Sequence, residues 1–377
     1  MEILVYGAGV LGGLYAARLH AAGHRVTILA RGPRLAELRT HGVVLEEART
    51  GGRSAYRVPV VERLYPGDAY DLVIVLVRWD QVASVLPVLA AGARTPTVLF
   101  MGSTPRGGAD WIEALGPGRV VLGFAGAGGL RIGQAVRYQV LARWQQPTTI
   151  GEPGGADTPR LRRIARALGE AGFPVATSPR MGAWLRTHVA WTLPLSTALY
   201  MAGGDAPRLA LTRDVLVLLV RAVRENFRVL RAAGVPVTPG SLRVFDRMPA
   251  PLLVAVLGRL LATPTARVVI AGHANAARGE YRALADDWLA LARAAGIPTP
   301  ALGELCRSLD PACPPMAEGR ADLPLARRGI GIGRAVLIGA GGALVGLRAL
   351  LARRGRADEP SHTARLGRGM PRSHARR

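Results

Sequence analysis

The chain has 377 residues, 49% of them hydrophobic, and carries a formal net charge of +23. This length predicts two domains with a sizeable core, and the N-terminus enters a strand pattern directly, so a cytoplasmic protein without a signal peptide is expected. Two cysteines, Cys306 and Cys313, are too few for a disulfide framework or a zinc site, and no metal is expected. All 49 basic residues are arginine, which excludes a lysine as general acid or Schiff-base amine.

The basic charge could attract an anionic cofactor, a nucleic acid or a membrane surface. The sequence contains no zinc-finger, basic-zipper or aromatic RNA-binding motif. We therefore predict no nucleic-acid partner.

The first half of the chain alternates short apolar runs with helical patterns, which is typical of βαβ units around a parallel sheet. The predicted elements, in chain order, are a strand at 2–6, a helix at 11–22, strands at 25–30, 71–77, 97–100 and 119–123, added antiparallel strands at 135–141 and 148–150, and a helix at 158–171. The second half changes to helical patterns at 183–201, 211–233, 251–261 and 274–295.

This order predicts an α/β fold, in which an N-terminal Rossmann domain with a mainly parallel sheet is followed by an all-α C-terminal domain. We place the Rossmann domain at residues 1–178, the helical substrate domain at 179–313, and a basic, partly disordered tail at 314–377. The apolar run 335–347 in the tail has 13 residues, fewer than the ~20 that a membrane span needs. A surface-packed helix and a weak membrane-surface contact both remain open for it.

A glycine-rich turn follows the first predicted strand and opens the first helix. It has the pattern G-x-G-x-x-G, formed by Gly7, Ala8, Gly9, Val10, Leu11 and Gly12. In this context the first glycine permits the turn, the second lets the backbone approach a diphosphate, and the third lets helix and strand pack closely. The free amides at the helix N-terminus favour the same negative charge, so a dinucleotide site is predicted.

The end of the second strand predicts which dinucleotide binds. An NAD site usually has an acidic residue there for the ribose 2′-hydroxyl, whereas this strand ends in Ala30-Arg31. Arg31, with help from Arg34, can form charge-assisted hydrogen bonds to a 2′-phosphate. The sequence therefore predicts NADP.

These features resemble the ketopantoate reductases (2-dehydropantoate 2-reductases), NADP-dependent enzymes of pantothenate biosynthesis. The resemblance covers about residues 1–310. It rests on GAGVLG at 7–12, LARG at 29–32, LVIVLVRWDQV at 72–82, LGFAGAGGLRIG at 122–133 and GEYRALADDWLALARAAGIPTP at 279–300.

The resemblance implies further cofactor contacts. A family lysine after the fourth strand corresponds to Arg78, and a family asparagine at the nicotinamide corresponds to Met101. A backbone contact falls near Gly128, and the cofactor-binding glutamate is retained as Glu280.

The catalytic positions depart from the family pattern. The family lysine two residues after a tryptophan becomes Arg186, and the two asparagines that follow become Ala190 and Pro194. Arg186 is a poor proton donor but a good carboxylate clamp, whereas His188 could donate a proton. The two lie about 200° apart on an ideal helix, so we expect only one to face the site.

Two functions follow from this pattern. The first is an NADP-dependent oxidoreductase that transfers a hydride from NADPH to a 2-oxo acid or related small carbonyl substrate, with ketopantoate as the default. The second is a catalytically degenerate NADP-binding sensor or partner protein. With either function the sequence is compatible with a homodimer.

Overall fold

The computed structural model describes residues 1–92 and 94–317, all within one compact unit. The strands are β1 Glu2–Tyr6, β2 Arg25–Leu29, β3 Val43–Glu47, β4 Arg53–Tyr56, β5 Val60–Val61, β6 Leu72–Val75, β7 Val98–Met101, β8 Val120–Phe124, β9 Ala127–Ile132, β10 Ala135–Val140, β11 Thr148–Gly151 and β12 Val175–Thr177. The first helices are α1 Val10–Ala21, α2 Gly32–His41, α3 Trp79–Ala91, α4 Ala109–Leu115 and α5 Pro159–Glu170.

From residue 181 onward the described chain is helical. It contains α6 Met181–Met201, α7 Ala206–Leu211, α8 Arg213–Ala232, α9 Val244–Arg247, α10 Ala250–Leu261, a π-helical turn at Ala266–Ala271, α11 Gly272–Ala276, α12 Arg278–Ala294 and α13 Pro300–Cys306. The division at residue 178 remains a prediction, but the change from strands to helices agrees with the predicted fold class.

The central sheet has eight strands in the order β12-β11-β8-β7-β6-β1-β2-β5. The strands from β8 to β5 are parallel, and β11 pairs antiparallel to β8, as predicted for residues 148–150. Continuous apolar runs such as β6 are buried on both faces, which explains their lack of alternation. The parallel strands end at the edge of the sheet where α1, α3 and the loop after β7 begin.

A second sheet of four strands, in the order β4-β3-β10-β9, differs from the prediction. The sequence predicts an added antiparallel strand at residues 135–141 but not a separate sheet. In the structure, β10 pairs antiparallel with β9 and parallel with β3, which lies 91 residues earlier in the chain. This small sheet packs against α1 and the π-helical turn, so it walls the region beside the glycine turn.

The long helix α6 runs unbroken through Pro194. A proline inside a helix removes the backbone N–H that would bond the carbonyl four residues earlier, here that of Ala190. The side-chain amide of Asn226 in α8 donates to this carbonyl at 3.0 Å and so replaces the missing donor. The helix therefore stays continuous, and its residues keep a regular spacing along the site described below.

Across the described residues, no single helix is long and apolar enough to cross a bilayer. The segments Ala250–Leu261 and Ala266–Ala276 are long and apolar enough only when they are taken together, and the chain bends by 87° between them. The predicted tail run at 335–347 lies outside the described residues.

Candidate active site

The glycine turn between β1 and α1 has the geometry that its pattern predicts. Gly7 has a φ of +113°, and a Cβ there would lie 2.5 Å from the carbonyl oxygen of Leu76. A Cβ on Gly12 would lie 1.8 Å from the carbonyl oxygen of Gly7, whereas one on Gly9 would meet nothing within 4 Å. Gly7 and Gly12 are thus required by packing, while Gly9 borders open space.

The N-terminus of α1 faces the same open space. Its first hydrogen bond runs from the Gly13 amide to the Gly9 carbonyl at 2.9 Å, so the preceding amides have no partner within the helix. The neighbouring Ala8, Val10 and Leu11 are partly exposed. Exposed amides at a helix start are well placed to bind an anion.

Arginines gather beside this turn. Arg31 precedes α2, is exposed, and donates to the Tyr6 hydroxyl at 3.0 Å. Arg34 donates from Nε to the Ala8 carbonyl at 3.0 Å and from Nη1 to Glu37 at 2.6 Å. Its Nη2 is buried without a hydrogen-bond partner, and burial lowers the pKa of this guanidinium. Two positive charges thus lie where the sequence places the adenosine side of a dinucleotide.

Glu280, in the first turn of α12, is 6% exposed. Its Oε1 accepts a hydrogen bond from the Trp79 amide at 3.1 Å, which ties α12 to the start of α3. Its Oε2 is buried without a partner. Burial raises the pKa of this carboxyl, although the nearby His273 and the Trp79 amide partly oppose the shift. An acceptor held in this way has unused hydrogen-bonding capacity beside the carboxyl end of β6.

The other three positions implied by the resemblance have different surroundings. Arg78 precedes α3 and pairs with Asp80 at 3.1 Å. Met101 ends β7 and is buried in the core, so its side chain takes no polar role. A Cβ on Gly128 in β9 would lie 2.7 Å from Val269 in the π-helical turn, so this position needs a glycine for close packing.

The two catalytic candidates of α6 contact different parts of the molecule. His188 is stacked on Trp184, with ring centroids 5.1 Å apart, and lies 3.9 Å from the ring of Phe124 at the end of β8. Arg186 donates instead to the Arg106 carbonyl in the loop after β7, at 3.1 Å. Of the two, His188 lies near His273, which in turn interacts with Glu280.

His188 is neutral at physiological pH. Burial, assisted by repulsion from His273, lowers the pKa of His188 to about 3. The imidazole then carries one N–H donor and one acceptor nitrogen.

Two hydroxyls on α6 complete the face that carries His188. Thr192 and Ser196 follow it at intervals of four residues, which places all three along one side of the helix. The hydroxyl of Tyr281 in α12 interacts with both, but burial still raises the pKa of this phenol. The spacing of four residues from His188 is the sequence feature that could have pointed to Thr192. Counting from Trp184, as the family pattern requires, gives Ala190 and Pro194 instead.

Comparisons with known proteins agree with this architecture. Residues 3–154 match the family model described as ketopantoate reductase PanE/ApbA. Over these residues the chain is similar to the ketopantoate reductase family. The sequence-based resemblance is thereby confirmed.

One curated relative of the ketopantoate reductase domain is a 2-dehydropantoate 2-reductase of Mesorhizobium japonicum. It is 26% identical over 215 residues, which cover 49% of this chain and 63% of the relative. The match thus spans less than two thirds of the relative's length.

Solved structures share the fold over most of the described chain. A ketopantoate reductase from Ralstonia solanacearum has a TM-score of 0.65 at 22% identity, with 82% of this chain and 96% of that chain covered. The 2-dehydropantoate 2-reductase of Geobacter metallireducens has a TM-score of 0.67 at 18% identity, covering 83% and 100%. A D-mandelate dehydrogenase in ternary complex with NADH and anilino(oxo)acetate has a TM-score of 0.65 at 16% identity, covering 82% and 97%.

Proposed function

We propose that this chain is an NADP-dependent oxidoreductase that reduces a 2-oxo acid or a related small carbonyl compound. The observation that carries the proposal is the open space at Gly9, in front of the free amides of α1. The buried, unpartnered Oε2 of Glu280, held at the start of α3, adds an acceptor. Together these groups fit NADP, and the residues that we propose to contact this coenzyme are Arg31, Arg78, Glu280 and residues 7–12.

The reduced coenzyme supplies a hydride, and the remaining chemistry belongs to the protein. With no lysine in the chain and a neutral His188, we propose that the imidazole N–H hydrogen-bonds to the substrate carbonyl oxygen and polarises it. Water then supplies the proton to the alkoxide. Thr192 and Ser196 lie on the same face; Ser196 is buried and the Thr192 hydroxyl donates to the His188 carbonyl at 2.8 Å, so we propose that they hold this part of α6 in place. The guanidinium of Arg186 binds the loop after β7 and not the face that carries His188. Its role as a carboxylate clamp for the substrate therefore stays a prediction.

The test is loss of NADPH absorbance with a panel of 2-oxo acids that includes ketopantoate and phenylglyoxylate. His188→Ala is expected to lower kcat about 100-fold, the lower range for loss of one positioned hydrogen-bond donor to a developing oxyanion, with little change in NADPH affinity. The exposed His41, at the end of α2, supplies the matched control His41→Ala. Because the pKa of His188 is about 3, the wild-type kcat should show no ionisation near pH 6.5.

One observation favours the second candidate function, an NADP-binding sensor. The family asparagine position is occupied by Met101, which is buried in the core and can contact neither nicotinamide nor substrate through a polar group. NADPH binding without turnover of any compound in the panel would support the sensor and contradict the reductase.

The choice of NADP over NAD is tested separately at Arg31. Arg31→Ala should weaken NADPH binding about 10- to 100-fold, since hydrogen bonds to charged groups contribute about 1.5–3 kcal/mol. NADH binding should change by no more than about twofold, because NADH lacks the 2′-phosphate. Fluorescence titration measures both affinities, with the exposed Arg39 of α2 as the control position (Arg39→Ala). Equal weakening of both coenzymes would contradict the assignment.

A further inference from the structure

A cavity of about 240 Å³ lies on the Arg186 side of α6. Its walls come from three segments: the first half of α6, the loop after β7, and the turn after α8. The lining residues are Gly107, Gly182, Ala183, Arg186, Gly234, Val235 and Pro236. His188 does not line this cavity; its ring packs against Phe124 and Trp184.

The guanidinium of Arg186 is the charged group of this cavity. It is partly buried and donates one hydrogen bond to the Arg106 carbonyl. Burial and the positive charge of Arg106 both lower the pKa of Arg186. The nearby carboxylate of Asp110 is bound to Arg106 at 2.8 Å. Asp110 thus balances the charge of Arg106, whereas Arg186 has no carboxylate partner among the described residues, an arrangement that an anion would stabilise.

The walls of the cavity are fixed around this side chain. Gly107 has a φ of +65°, and a Cβ there would lie 2.9 Å from Nε of Arg186 and 3.0 Å from the Gly182 carbonyl oxygen. On the other side, the Thr238 amide donates to Oγ1 of Thr187 at 3.1 Å, which anchors the segment after α8 to α6. Glycine at position 107 therefore leaves room for the guanidinium, and the anchored walls keep the space beside it.

We propose that this cavity binds a small oxyanion, a carboxylate or phosphate group, on the guanidinium of Arg186, at a site separate from the His188 face. The planar guanidinium presents a fork of donors that matches both kinds of group. The volume is below the ~300 Å³ at which pockets for drug-sized ligands begin, which favours a ligand smaller than these. The proposal goes beyond the proposed reductase function and does not depend on it.

The test measures binding of inorganic phosphate and, in a parallel arm, of acetate, at constant ionic strength. The full chain carries Arg31→Ala throughout, which weakens the proposed 2′-phosphate contact, and any anion that still binds at the start of α1 contributes equally to every variant compared. Calorimetry should detect binding of at least one anion, with a rise in Tm, and Arg186→Gln should weaken it at least tenfold. The anion that binds with the higher affinity, phosphate or acetate, identifies the preferred group.

Two further variants separate the cavity from a general charge effect. Ala183→Leu places a larger apolar side chain in the cavity without changing charge and should also weaken binding at least tenfold. Arg166→Gln removes an exposed arginine of α5 and should leave the affinity unchanged within about twofold. Failure of both anions to bind, or equal binding by the Arg31→Ala protein and its Arg186→Gln and Ala183→Leu derivatives, would overturn the proposal.

Discussion

Alanine in place of Gly9 is expected to abolish NADPH binding and leave the fold intact. A Cβ at this position meets nothing within 4 Å in the protein, and the φ of −70° suits alanine. The free energy of unfolding should fall by no more than about 1 kcal/mol, because alanine is a poorer helix N-cap than glycine. In the proposed complex, however, the methyl group would occupy the space through which the diphosphate approaches the amides of α1.

Gly12→Ala is the matched comparison. In this variant the main effect should be a loss of stability and not a direct loss of NADPH contacts. Its Cβ would lie 1.8 Å from the Gly7 carbonyl oxygen, so β1 and α1 would have to move apart. We expect a loss of about 3 kcal/mol in the free energy of unfolding, the upper range for overpacking. Urea denaturation and NADPH titration of both variants separate the two effects. Full NADPH affinity in a stable Gly9→Ala protein would exclude the proposed diphosphate position.

The glycine turn was predictable because each of its requirements is local. The turn at Gly7 and the contact between Gly7 and Gly12 involve residues a few positions apart, and the strand and helix patterns on either side confirm the context. The same holds for the apolar run of β6, whose burial on both faces follows from its composition.

The second sheet was not predictable by the same reasoning. Strand β4 consists of Arg53, Ser54, Ala55 and Tyr56, and its first three residues are exposed, so no apolar alternation marks it. Strand β3 finds its parallel partner β10 about 90 residues later, and Glu46 bridges the sheet by pairing with Arg137 at 2.6 Å. Pairings at this separation depend on tertiary contacts that no short window of sequence contains.

The orientation of α6 was only half predictable. The sequence showed that Arg186 and His188 point in different directions, but not which one faces the carboxyl ends of the strands. That choice depends on aromatic packing, because Trp184 and Phe124 come from different elements, contact each other and both pack against His188. The polar face formed with Thr192 and Ser196 then follows from the helical repeat.

Asn226→Leu is expected to cost about 2–6 kcal/mol of unfolding free energy, although the substitution keeps the number and branching of the side-chain heavy atoms. Asn226 is fully buried; its Nδ2 donates to the Ala190 carbonyl at 3.0 Å and its Oδ1 accepts from the indole of Trp288 at 2.8 Å. The indole N–H can only donate, which fixes the orientation of the amide. Leucine would leave both groups buried without partners, at about 1–3 kcal/mol each.

Pro194 makes the hydrogen bond from Asn226 to the Ala190 carbonyl necessary, and a double-mutant cycle tests this. Pro194→Ala restores a backbone N–H that can reach the Ala190 carbonyl within α6. In that background, Asn226→Leu should cost about 1 kcal/mol less, because only the Trp288 indole loses its partner. The midpoints of urea denaturation of the wild type, the two single variants and the double variant give the coupling free energy. Simple additivity would mean that the carbonyl of Ala190 does not depend on Asn226, and that α6 stays continuous through the proline for another reason.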